Sequence, residues 1–348
     1  MLRVRWIIAL VDLRPGPASV AGSGRDPVLI PSTAADLPAP DLRRVAFGDT
    51  PEAPFVVGPD DPPERRWLAA VILGGRARYG AAWALLEPIV NCPSAPAAVR
   101  AHAAITRASH LRQLGGHLPA RRWDGLGLAS ACSALEGRTL VHRGPEATTG
   151  ERGPGWDVCG GPGLDAAAAR IDALLGLAAD ALGLGEFALS DRLLQRAEPL
   201  ALIHPSWRPT VRLHWIRAEL ALSVDRPDVA LERAELAAAL SREAGAARHE
   251  VKSLLVRVVA RSCVGEGPPE LYRSLEDLTE RAIGTRLNSL EWPIRLLLGQ
   301  MGGSWDGGNT PGHRARYRRL LASIRRACDP IGRMVLDRSP WVAGAFGP

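Results

Sequence analysis

Between residues 174 and 197, apolar and small side chains recur at spacings of three and four, stop at a glycine turn, and resume. Leu174, Leu177, Ala178 and Ala181 come before Gly183-Leu184-Gly185, and Phe187, Ser190, Leu194 and Ala197 come after it. This spacing puts the apolar set on one face of each of two helices, and the small residues let the helices touch. The pattern returns downstream. His214, Ala218 and Ala221 lead to a turn at Asp225, followed by Pro227, Ala230, Ala234 and Ala237. Pro227 suits the first turn of a helix, where a missing N–H costs little. Weaker copies set Ala70 and Leu73 before Tyr79, Ala82 and Leu86, and Ala108 and Leu111 before Gly115 and Ala120. Another sets Leu255, Val258 and Val259 before a turn at 265–269 and then Leu271, Leu275 and Leu278. Units of this kind cannot bury their apolar faces alone and must stack on their neighbours.

A small residue in the first helix, a turn, and a bulky, a small and a second bulky residue beyond it make up the tetratricopeptide (TPR) pattern. Residues 64–283 resemble that superfamily. The small-residue positions of the second helices fall at 82, 120, 190, 230 and 271, in steps of 38, 70, 40 and 41. The usual step is about 34, so the chain is more similar to the stretched arrays of bacterial regulators. The resemblance implies an all-α solenoid of antiparallel helix pairs that binds peptides or protein surfaces on its concave face. On that template the inward positions of the first helices hold His102, Ser109 and Arg112, then Arg212, Trp215 and Glu219, then Lys252, Ser253 and Val256. Trp215 between Arg212 and Glu219 suits a peptide with an apolar anchor and a carboxylate.

The flanks read differently. Residues 1–63 form a Pro-rich, largely irregular arm, because eleven prolines between 12 and 63 forbid a long helix. Phe47 and Phe55 are its candidate anchors. Residues 64–136 hold the first helix pairs, 137–163 a Gly/Pro-rich loop, 164–337 the second array, and 338–348 a tail. A further helix spans 287–300, with Glu291-Trp292-Pro293 at its start or at a kink. The last helix carries Tyr317, Leu320, Leu321, Ile324, Ala327, Cys328 and Ile331 on one stripe and reads as a basic C-terminal cap.

Composition narrows the function classes. The net charge of +6 comes from 43 basic residues of which only Lys252 is lysine. That bias follows a GC-rich coding sequence more than a ligand. Even so, eight arginines lie between 313 and 338, and Arg314, Arg318 and Arg325 are the candidates for nucleic-acid contact in an alternative reading. Five scattered cysteines without a C-x-x-C pair fit reduced thiols in a cytoplasm. Arg3 and Arg5 precede an apolar run at 6–11 that Asp12 cuts short of a secretory core, and no run approaches the roughly 20 residues of a membrane span. Neither a phosphate-binding glycine motif nor a zinc-binding histidine pair is present. The expectation is a cytoplasmic, non-catalytic scaffold or regulatory adaptor. It needs no cofactor or metal, and its partner is a protein or peptide rather than a membrane.

Overall fold

The computed structural model describes residues 41–141, 162–301, 310–339 and 342. The apolar run at 6–11, most of the Pro-rich arm, most of the loop with Trp156 and Cys159, and nearly all of the tail lie outside the described residues. Fourteen helices and no strand occur among the described residues. A short helix α1 (Leu42–Phe47) precedes six consecutive pairs. These are α2 (Pro63–Gly75) with α3 (Tyr79–Val90), α4 (Ala97–Gln113) with α5 (His117–Val141), and α6 (Ala166–Gly183) with α7 (Phe187–Ile203). Next come α8 (Trp207–Ser223) with α9 (Pro227–Glu243), α10 (Ala247–Cys263) with α11 (Pro268–Gly284), and α12 (Asn288–Met301) with α13 (Thr310–Arg326). Helix α14 (Pro330–Arg338) ends the series. Each helix packs on its neighbours in chain order, as in an α-solenoid.

One turn recurs throughout. The backbone N–H five residues downstream closes onto the helix's last-turn carbonyl at Arg78 to Leu73, Gly116 to Leu111, Glu186 to Ala181 and Arg226 to Ala221. The same bond runs from Ala246 to Ser241 and from Leu287 to Ala282. This is the Schellman ending, which needs one residue in the left-handed region. Glycine supplies it at 115, 185 and 245, but Ala77, Asp225 and Arg286 also adopt it, with φ of 57°, 58° and 54°. From α8 to α11 every helix is 17 residues long. Two such helices with two short turns give the 40-residue step, so the excess over the usual repeat lengthens the helices.

The register follows the small residues. Ala82, Ala120, Ser190, Ala230 and Leu271 are each the fourth residue of their second helix, and all are buried. Opposite them Ala70, Ala108, Ala178 and Ala218 are fully buried on the first helices. His313 takes the fourth position in α13. The sixth pair therefore carries no small-residue signal.

After six pairs the array meets its own beginning. Helices α2 and α12 touch. Asn288 Nδ2 donates to the Arg76 carbonyl at 3.4 Å, and Gly80 N donates to the Ala327 carbonyl at 2.7 Å. Arg107 on α4 binds both oxygens of Asp329 at 2.7 and 2.8 Å, with 1% and 8% of the two side chains exposed. Tyr79, Leu111 and Leu114 share one apolar cluster with Trp292, Tyr317, Leu321, Val335 and Leu336. The expected C-terminal cap thus differs in two ways. Its stripe ends at Arg326 and resumes in a separate helix, because Asp329 caps α14 through the N–H groups of Ile331 and Gly332, which leaves Ile331 46% exposed. Its apolar face does not end the array but seals it against α3–α5. The arm also yields a short helix, α1, whose Phe47 docks on Trp67 at a centroid distance of 6.0 Å.

Ala218 shares a cluster with Ala221, Ala230 and Ala234 where α8 meets α9. Ala218→Leu is expected to lower the unfolding free energy by about 1–3 kcal/mol through overpacking. Urea denaturation checks this, and an unchanged midpoint would show that the helices do not touch at Ala218.

Candidate ligand-binding site

Closing the array converts its inner face into a cavity of about 430 Å³. The wall is built almost wholly from the first helix of each pair, α2, α4, α6, α8, α10 and α12. The second helices contribute only His117, and α1 contributes Phe47. The inward positions follow helical spacing, with Arg208, Arg212, Trp215 and Glu219 on α8 and Arg248, His249, Lys252 and Val256 on α10. A volume of this order suits a drug-sized ligand or a few residues of peptide.

Aromatic rings and buried histidines make much of the surface. Trp215 stacks on His249 at 5.4 Å with 16° between the planes, and Trp67 stacks on His102 at 4.8 Å. The Trp215 indole N–H donates to Ser253 Oγ at 2.8 Å, and Ser253 in turn bonds Ser241. Burial pushes His102 down to about 4 and holds His110 and His249 well below their ordinary value, so all three are neutral at pH 7. Glycines make room for these rings. A methyl group on Gly74 would collide with the His110 imidazole, and one on Gly183 with that of His117.

Most of the charges are matched. Arg112 binds Asp124 at 2.6 Å and Asp180 at 2.7 Å, both carboxylates being fully buried. Burial raises Asp124 to about 8, so that one of the two acids holds a proton at neutral pH. Lys252 pairs with Glu219 at 2.9 Å and lies 5.9 Å from the Trp215 ring. Arg208 and Arg212 share the fully buried Asp172. Although burial opposes ionisation there, the two guanidiniums hold Asp172 below the usual carboxylate range.

Eight of the nine inward residues named from the sequence line this cavity: His102, Ser109, Arg112, Arg212, Trp215, Glu219, Lys252 and Val256. Ser253 does not. It is fully buried behind Trp215, because position 253 faces α9 rather than the axis. Trp67, Asp172, Arg208, Arg248, His249 and Trp292 were not foreseen. The excess of tryptophan over tyrosine and phenylalanine was a usable signal for three rings on this wall, but the template gave a position only for Trp215 and none for Trp67 or Trp292. Arg314, Arg318 and Arg325 lie away from the cavity. Arg314 donates to the Gly299 carbonyl, Arg325 forks onto Asp337 at 2.7 Å, and Arg318 is exposed. Among the described residues, no helix is long and apolar enough to cross a membrane. No protein-family model and no curated protein matches the chain.

The neutral histidines set a pH dependence. Their folded pKa values lie below the unfolded value near 6.5, so the unfolded chain binds more protons and stability is lost as pH falls through 6.5. Asp124 works in the opposite sense, because its raised pKa favours the folded state as pH falls below about 8. Three histidines act against one carboxyl, and the net loss falls in the window just below pH 6.5. Thermal melts are expected to show a lower Tm at pH 5.5 than at pH 7.5. An equal or higher Tm at pH 5.5 would mean that these rings are charged in the fold.

Proposed function

We propose that this chain is a TPR-like, non-catalytic binding protein that takes an apolar segment of a peptide or protein partner into the cavity lined by its first helices. The observation that carries this reading is the division of labour between the two helices of each pair. The first helices of all six pairs converge on one cavity while the second helices form the outer shell. The uniform turns and the 40-residue step support antiparallel pairs of the TPR kind, whose inner face is the binding face. Rigid tryptophans beside polar groups have the make-up of a binding hot spot. On this reading Trp215 is the anchor: Ser253 and His249 fix its ring from behind and beside, so a ligand meets it already oriented. The function is then that of a regulatory adaptor, whose signal is occupancy rather than turnover.

The test is selection of heptapeptides from a displayed random library on the immobilised protein, followed by affinity measurement with the Trp215→Ala variant. Losing such an anchor is expected to cost about 2 kcal/mol or more, near a thirtyfold rise in Kd, with Tm little changed. Selected peptides that bind a folded Trp215→Ala protein as tightly as the parent would place the binding face elsewhere.

A further inference from the structure

The wall of the cavity is not electrically balanced. Around His249 stand three guanidiniums, those of Arg208, Arg212 and Arg248, each close enough to act on its titration. Asp172 is the carboxylate that faces them, and it is already shared by Arg208 and Arg212. Arg248 makes no ion pair among the described residues. Its Nη1 donates to the Val71 carbonyl at 3.2 Å, and burial together with the charge of Arg212 presses its pKa down. Elsewhere the charges are paired, Lys252 with Glu219 on the wall and Arg112 with Asp180 and Asp124 behind it. Asp165, the next carboxylate along, caps α6 and bonds His204, and acts on Arg208 through its charge without an ion pair. Two positive charges therefore remain on one side of the cavity. Holding unneutralised guanidiniums out of water is costly, and a bound anion removes that cost.

The remaining wall is apolar but not without handles. Ser289 Oγ and Trp292 Nε1 on α12, and Nδ1 of His110 and of His249, have no hydrogen-bond partner among the described residues. Their residues are at most 7% exposed and line the same cavity. Trp292, Leu296 and Leu297 supply apolar surface beside them. A ligand with an acidic group at one end, an apolar body and a hydrogen-bonding edge would satisfy all of these groups together.

From this asymmetry we infer that the cavity selects an amphiphilic anion, with its carboxylate or other acidic group seated between Arg212 and Arg248 and its apolar body against Trp215 and Trp292. The inference rests on the binding role proposed above and narrows it, because a cavity of about 430 Å³ takes one small acid or the last residues of a peptide. A free peptide C-terminus and a small acid both supply such an anion and present the same chemistry to the two arginines. Arg248 is the selective residue: it has no carboxylate of its own to abandon, and its guanidinium can fork onto an incoming acid.

The test uses two fluorescent probes of similar shape, anionic 1-anilinonaphthalene-8-sulfonate and neutral N-phenyl-1-naphthylamine, titrated into the full chain. Arg248→Met is the main variant, since it leaves no buried carboxylate unpaired. Arg212→Met is the second, because Arg208 still pairs Asp172. The anionic probe is expected to bind the parent at least tenfold more tightly than the neutral one, and Arg248→Met is expected to abolish that preference while neutral-probe affinity stays within about twofold. Equal affinity of the parent for both probes, or a preference that survives both substitutions, would overturn the inference but leave the cavity reading standing. Binding of neither probe to the folded protein would overturn both. Competition by acetyl-Leu-Leu-Leu as its acid but not its amide assigns the anion to a peptide terminus. Competition by decanoate but by neither tripeptide assigns it to a small acid.

Discussion

Arg107 and Asp329 stand 222 residues apart in the chain and bind each other through both guanidinium nitrogens and both carboxylate oxygens. The arginine also lies 4.5 Å from the Trp83 ring, and Asp329 simultaneously caps the last helix. A stack of helix pairs contacts only its neighbours and has no intrinsic reason to close. Closure here comes from side chains placed at the two ends: this ion pair, the apolar cluster from Tyr79 to Leu336, and the Gly80 to Ala327 backbone bond. Gly80 lacks a side chain where that approach is tightest, since a methyl group there would press on the Ala327 carbonyl. Removing one partner of such a buried pair leaves the other charged and uncompensated. The seam is therefore cooperative, and the inner face remains a cavity only while it holds.

Closure also changes what the inner face can do. An open concave surface presents its side chains to bulk water, where exposed ion pairs contribute little. With the ends joined, the same surface has buried neutral histidines and arginines whose partners are limited to what the wall provides, and a carboxyl raised by burial lies just behind it. The cost of these arrangements is met by the packing of α2 against α12 and of the C-terminal helices against α3–α5. Stability and ligand chemistry are thus linked through one seam rather than distributed along the array.

The repeat itself was legible because it is written locally. Helices that touch require Ala82, Ala120, Ala218 and Ala230, and a left-handed turn usually requires glycine, so composition at fixed offsets discloses both. The turns at Ala77 and Arg286 were silent, since their residues give no sign of positive φ. The sixth pair was silent as well, with His313 in place of a small residue. Inward positions such as Arg212, Trp215 and Lys252 followed from helical phase. Trp67 and Trp292 did not, because they become neighbours only when the ends meet, and contacts that span the chain leave no short-range pattern.

Closure in solution is measured most directly by a double-mutant cycle across the seam. Arg107→Met, Asp329→Asn and the double variant would be unfolded in urea and their free energies compared with the parent. If the first and last pairs touch as described, the two substitutions are coupled by about 1.5–3 kcal/mol, the double variant being less destabilised than the sum of the singles. Additive effects within about 0.5 kcal/mol would mean that Arg107 and Asp329 do not meet, and would contradict a closed cavity.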